Sequence, residues 1–150
     1  MQNPVEYEIE RNKVPDDQKL EFFPSFGDCN TWGFIPLEGF IYSFAQRYIE
    51  NYIGGYWHYV NLSNGGKYIY ISDVKELVLT NSFNYFSEKM NSELAGIIIC
   101  SFVYAQCSEY AYAQGRLELY EQFKNHFNAL KAYVLTLDKK SRSMYFGFLD

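Results

Sequence analysis

Asn64-Gly65-Gly66 lies between Tyr56–Asn61 and Lys67–Ser72, two segments rich in aromatic and β-branched residues. An Asn-Gly-Gly step flanked in this way is among the strongest short-range signals for a β-hairpin, because glycine reaches the positive-φ conformations that a tight reversal needs. The middle of the chain is therefore committed to antiparallel pairing. Gly54-Gly55, just before it, reads as the stop of an incoming helix.

The flanks supply the remaining elements. Residues 1–13 are polar, with a weak alternation at Val5, Tyr7 and Ile9 that suits an edge strand or an ordered arm. Val14–Phe23 predicts a short helix, with Pro15 near its start, Asp16 and Asp17 in its first turn and Pro24 ending it. Residues 27–33 read as a loop. A helix from Ile35-Pro36-Leu37 to about Tyr52 repeats Phe40, Phe44, Tyr48 and Tyr52 on one face. After the hairpin, Glu76–Thr80 and Asn84–Met90 predict two more strands, neighbours that should extend the hairpin into a meander. Ser92 opens a helix, apolar nearly all round, that Gly115 closes. Arg116 to about Leu137 is amphipathic, and Asp138 can N-cap a last helix. The expected class is α+β: a small antiparallel β-meander of three to four strands, packed against about four to five helices, one central and buried.

A chain of 150 residues fits one domain, large enough to bury a core without a metal or disulfide. With 15 Tyr, 13 Phe and 2 Trp, that core must be built from rings. Cys29, Cys100 and Cys107 are odd in number. Cys100 and Cys107 stand two helical turns apart, roughly 10 Å by helix rise, too far for a disulfide. Reduced thiols and a cytoplasmic location are expected. The first residues lack the pattern of a signal peptide, and Leu94–Ala105 falls short of the roughly 20 residues of a membrane span, so no membrane partner is expected.

The net charge of −5 argues against direct DNA binding, which draws its affinity from clustered Lys and Arg. It argues equally against DNA mimicry, since a duplex carries about one charge per 1.7 Å and the 18 acids here are scattered among 13 bases.

Gly54-Gly55-Tyr56-Trp57 followed by Leu62-Ser63-Asn64-Gly65-Gly66 and Tyr68 resembles the signature block of the antirestriction proteins of the ArdB/KlcA type. Phe22-Phe23-Pro24 with Phe26-Gly27, Glu93-Leu94-Ala95-Gly96-Ile97 and the closing Leu149-Asp150 are similar to further segments of that family. His58, Lys67 and Ile71 depart from it, where an acid, Phe and Pro are common. The resemblance implies a small α+β protein of plasmids and other mobile elements that relieves type I restriction of incoming DNA. It does not imply catalysis. The expected partner is a protein, a type I restriction enzyme or its regulatory machinery.

The candidate interaction surface is the hairpin: Tyr56, Trp57, His58, Tyr59, Ser63, Asn64 and Lys67, with Gly54, Gly55, Gly65 and Gly66 as its structural signature. One of Tyr56 and Trp57 should face the core, and Trp57 is the better candidate. Ser63 and Asn64 suit a recognition tip, and equally a turn. No catalytic residue, metal ligand or cofactor is assigned. Cys29 beside Asp28, or Ser63 with His58 or His126, would need a base in reach, and the histidines and cysteines have no ligand spacing. Lys139, Lys140 and Arg142 form the densest basic cluster, unfavourably placed against a helix dipole unless solvated or used by an acidic partner. Together with exposed hairpin aromatics they define the alternative, a small nucleic-acid-binding module.

Overall fold

The computed structural model describes residues 8–150. Val5 and Tyr7 lie outside them. The strand expected near the start falls just after the alternation, at β1 (Arg11–Lys13), which pairs antiparallel with β2 (Trp57–Leu62) in the register Arg11↔Leu62. Its three side chains are all exposed, so periodicity could not reveal it.

β2 and β3 (Lys67–Ile71) form the expected hairpin, with Trp57↔Ile71 and Asn61↔Lys67 as its outer pairs. The turn closes when the Gly65 N–H donates to the Leu62 carbonyl (3.0 Å), and Gly65 takes φ +89°. Gly66 has another reason to lack a side chain: a Cβ there would sit 2.8 Å from Leu62 Cδ1.

The expected meander is divided. β4 (Glu76–Asn81) and β5 (Phe86–Asn91) pair with each other in a separate two-stranded sheet. The free edge of β3 is taken by helix α3 (Ser92–Ala113). Gly96, Cys100 and Tyr104, four residues apart, lie along that edge: a Cβ on Gly96 would strike the Ile69 carbonyl, the Cys100 thiol donates to the same carbonyl (3.8 Å), and the Tyr104 hydroxyl donates to the Lys67 carbonyl (2.6 Å). A helix row thus does the work of a strand and protects the edge.

The other helices are α1 (Asp28–Thr31), α2 (Leu37–Tyr48), α4 (Leu117–Val134) and α5 (Lys139–Leu149). Several boundaries differ from expectation: β5 begins at Phe86 and not at Asn84, which leaves Asn84 and Tyr85 in the turn, and α4 stops at Val134, short of Leu137. Residues 14–23 hold a 3₁₀ helix, Asp16–Glu21, and a second one follows at Pro24–Phe26. The presumed loop at 27–33 contains α1. α2 ends before Ile49, because Ile49 bridges Leu79 and the Glu50 N–H donates to the Val78 carbonyl, so tertiary pairing outcompetes the helix.

α3 is the central buried helix. Its 22 residues, longer than the Leu94–Ala105 stretch, are long and apolar enough to cross a membrane, and 72% of its most apolar stretch is buried within the protein. Rings fill the space around it: Phe148 meets Tyr48, Phe86 and Phe102, each at 5.5 Å and near-perpendicular, a favoured aromatic geometry. The three cysteines are free and buried.

Candidate functional site

Strand alternation sorts the hairpin residues onto two faces. On one, Trp57 is buried against Tyr42 (5.3 Å) and Tyr59 is half-buried against Phe22 (4.9 Å) and Phe23 (5.8 Å). Lys67 shares this face. Its ammonium donates to Asn61 Oδ1 (2.8 Å) and lies 5.4 Å and 5.7 Å from the Phe22 and Phe26 rings, and burial lowers its pKa. The segment Phe22–Phe26 therefore covers two of the seven surface candidates, Tyr59 and Lys67, and Tyr42 of α2 covers a third, Trp57.

The tip is anchored. Ser63 Oγ accepts the Glu10 N–H (2.7 Å), and the Ser63 N–H donates to the Glu10 carbonyl (2.8 Å). Asn64 Nδ2 donates to the Ala129 carbonyl on α4 (2.9 Å), while its Oδ1 accepts the Gly66 N–H (3.0 Å). Both side chains are exposed, but their polar atoms hold the hairpin to β1 and α4, which differs from a tip of free hydrogen-bonding groups. Gly54 takes φ +89°, and Gly55 leaves room for Ile71, whose Cγ2 would lie 2.8 Å from an added Cβ.

The other face carries a polar relay. His58 Nδ1 lies 3.1 Å from the Tyr70 hydroxyl, which also accepts from Arg11 Nη2 (3.1 Å). Because Arg11 can only donate, the Tyr70 proton is left for His58 Nδ1, which suits a neutral ring protonated at Nε2. Partial burial, then Lys13 and Lys19, lower the His58 pKa. Arg11 reaches Glu93 through Nε (2.5 Å) and Nη2 (3.2 Å), and Glu93 Oε2 accepts the Tyr68 hydroxyl (2.5 Å). The bonded carboxylate raises the pKa of the Arg11 guanidinium, and burial with the Glu93 bond raises that of the Tyr68 phenol. His58, Tyr70, Arg11, Glu93 and Tyr68 thus tie both hairpin strands to β1 and α3.

At the rim, Tyr56 is 60% exposed, with Lys19 Nζ 4.7 Å above its ring. Apart from Ser63 and Asn64, whose polar atoms are engaged, Tyr56 and the half-buried His58 are the hairpin candidates that reach water, set among Arg11, Lys13 and Lys19. The sequence reading missed Arg11, Tyr70 and Glu93. Arg11 is 59 residues from Tyr70 and 82 from Glu93, and nothing local joins them.

The cysteine thiols are held protonated. Burial pushes the thiols of Cys29, Cys100 and Cys107 up to about 12, so they hold their protons at neutral pH. His126, packed against Phe26 (4.8 Å) and Tyr104 (5.5 Å), is pushed down to about 4 by burial and by Lys67. Among the described residues no cluster of three or more His, Cys, Asp or Glu is arranged to hold a metal. Arg142 donates to the Leu137 carbonyl (3.0 Å), leaving Lys139 and Lys140 exposed at the start of α5.

Residues 50–142 match the family model described as antirestriction protein. The chain is 30% identical to the uncharacterized protein YfjX of Escherichia coli K12, over 95% of this chain and 90% of that one. It is 28% identical to the antirestriction protein KlcA of Escherichia coli, over 69% of this chain and 72% of KlcA. Its fold matches a solved structure from work on KlcA and ArdB, with a TM-score of 0.75, 24% identity, and coverage of 98% of this chain and 99% of that one. Those two proteins are described as having antirestriction activity against type I DNA restriction systems in vivo but not in vitro.

Proposed function

The chain belongs to the antirestriction protein family, and from that premise we propose that it relieves type I restriction of incoming DNA by contact with a protein, either the restriction complex or the machinery that controls it. It does so in the cytoplasm, as a single domain. The family match over residues 50–142 carries this reading, since it spans the hairpin, α3 and α4. Charge supports contact with protein over mimicry of DNA: a net −5 spread over both signs cannot reproduce the phosphate rows of a duplex. The activity described for KlcA and ArdB in vivo but not in vitro favours a target that operates only in the cell.

The hairpin rim contributes Tyr56 and His58, braced from below by Tyr70, Arg11 and Glu93. In a host with an active type I system, the protein is expected to raise the plating of unmodified phage while leaving modification of host DNA intact. Unchanged plating across several type I specificities refutes the reading. A Tyr56→Ala variant that folds normally and keeps full relief removes the hairpin rim from the working surface.

A further inference from the structure

The turn between β4 and β5 holds two aromatic rings in water: Phe83 is 84% exposed and Tyr85 93%. The turn is rigidly built. Asn81 Nδ2 donates to the Phe148 carbonyl (3.3 Å), and its Oδ1 accepts the Phe83 N–H (3.1 Å). Asn84 Nδ2 donates to the carbonyls of Gly147 (3.1 Å) and Phe148 (3.0 Å), and its Oδ1 accepts the Phe86 N–H (3.2 Å). These bonds use carbonyls that the end of α5 leaves unpaired, so the turn is fastened to the core.

Tyr85 also sits at φ +60°, in the left-handed region that is costly for a bulky residue and relaxed for Gly or Asn. Folding gains little from this ring, because it is neither buried nor comfortable. Strain held in place by surrounding bonds points to use.

Beside the rings stands Arg47, in the last turn of α2, exposed and without an ion pair among the described residues. It lines both clefts that flank Phe83: one of about 440 Å³, where Asp150 also lines the wall, and one of about 300 Å³ that carries no acid among the described residues. The smaller one also presents Thr80, Ser82 and Ser87, and Arg47 is its only charged lining group among the described residues. A guanidinium that shares one cleft with two exposed rings and with hydroxyl-bearing side chains complements a carboxylate flanked by apolar side chains. A single cation is too little for nucleic acid, whose affinity grows with the number of phosphates neutralised.

We propose that Phe83, Tyr85 and Arg47 form a preorganised docking site for an acidic, apolar-flanked segment of a partner protein. This rests on the reading that the chain works by protein contact. A carboxylate of the partner pairs with Arg47, and its neighbours pack on the two rings. Aromatic residues and Arg are the usual carriers of binding energy, and a locked turn avoids the cost of ordering them on association.

Two measurements test this. The full chain is titrated by NMR with the peptide acetyl-Asp-Leu-Phe-Glu-Leu-amide and with its Asn/Gln counterpart. Shifts are expected at residues 83–86 and the Arg47 guanidinium, with the neutral peptide binding at least about fivefold more weakly and R47E abolishing the difference. Absence of shifts there, or equal binding of both peptides, overturns the proposal, as does a single-stranded oligonucleotide that shifts the same residues while the peptide does not. In the phage assay, Phe83→Ala with Tyr85→Ala, and separately Arg47→Glu, are expected to cut relief about tenfold or more. Leu20→Ala, equally exposed at 92%, should not. Folded variants with full relief overturn the site. Failure of the unmodified protein to relieve restriction refutes the antirestriction reading instead, and the peptide titration still decides the site.

Discussion

Gly96→Ala and Gly39→Ala are the same substitution in two helices, and the packing gives them opposite signs. Each gains up to about 1 kcal/mol of helix propensity. At Gly96 the new Cβ overlaps the Ile69 carbonyl, lies 2.5 Å from Tyr70 Cβ and 2.8 Å from Tyr70 Cα, all on or next to the β3 backbone. Nothing there can swing aside, so α3 must back away from the sheet edge. Overpacking of that kind costs about 1–3 kcal/mol, and an obstacle made of backbone belongs at the upper end. The net expectation is a loss of about 2 kcal/mol, or roughly 4–8 °C in Tm for a chain of this size. At Gly39 the obstacle is the Cγ2 of Ile35, the tip of a 47% exposed side chain that can rotate away, so the propensity gain survives and Tm holds or rises. Thermal scans of both variants by circular dichroism decide it. A Gly96→Ala protein as stable as the parent would refute the close approach of α3 to β3, and with it the explanation for the split sheet.

Asn64→Ala should lose about 1–2 kcal/mol in urea unfolding, because two hydrogen bonds that hold the hairpin tip disappear together. His126 titrates at about 4 when folded, below the 6.5 of an ordinary histidine, so the unfolded chain takes up the proton first. Its contribution is complete above pH 6.5 and drains away as pH falls towards 4, by about 3 kcal/mol at most; His126→Phe should flatten that limb in urea midpoints measured at pH 7, 5.5 and 4.5. Tyr85→Gly removes the left-handed strain, so its Tm should stay level or rise by the equivalent of up to about 1 kcal/mol, while relief of restriction falls.

What was legible in the sequence was local. Asn64-Gly65-Gly66 announced its hairpin because turn chemistry lies within a few residues, and Ser92–Ala113 announced a buried helix because it has almost no polar side. What was hidden depends on contacts between distant segments. The alternation that ends at Ile9 suited an edge strand, but Arg11-Asn12-Lys13, exposed throughout, carries no such pattern, and pairing with β2 alone makes it the strand. Nothing near Ile71 says that β3 ends the sheet, because the obstacle is a row of side chains beginning 25 residues later, at Gly96.

The same distinction separates scaffold from site. Most residues of the signature block have a structural occupation: Trp57 and Tyr68 are buried, Ser63 and Asn64 fasten the tip, and Gly66 makes room for Leu62. A block can therefore identify this fold without being where the protein works. Phe83 and Tyr85 are the reverse case. Asn84 and Tyr85 were expected inside a strand that in fact begins at Phe86; two aromatic residues set among Asn81, Asn84 and the next strand were the signal that could have been read. A residue that stabilises the chain is explained by its contacts; one that stays exposed and strained is explained only by something that binds it.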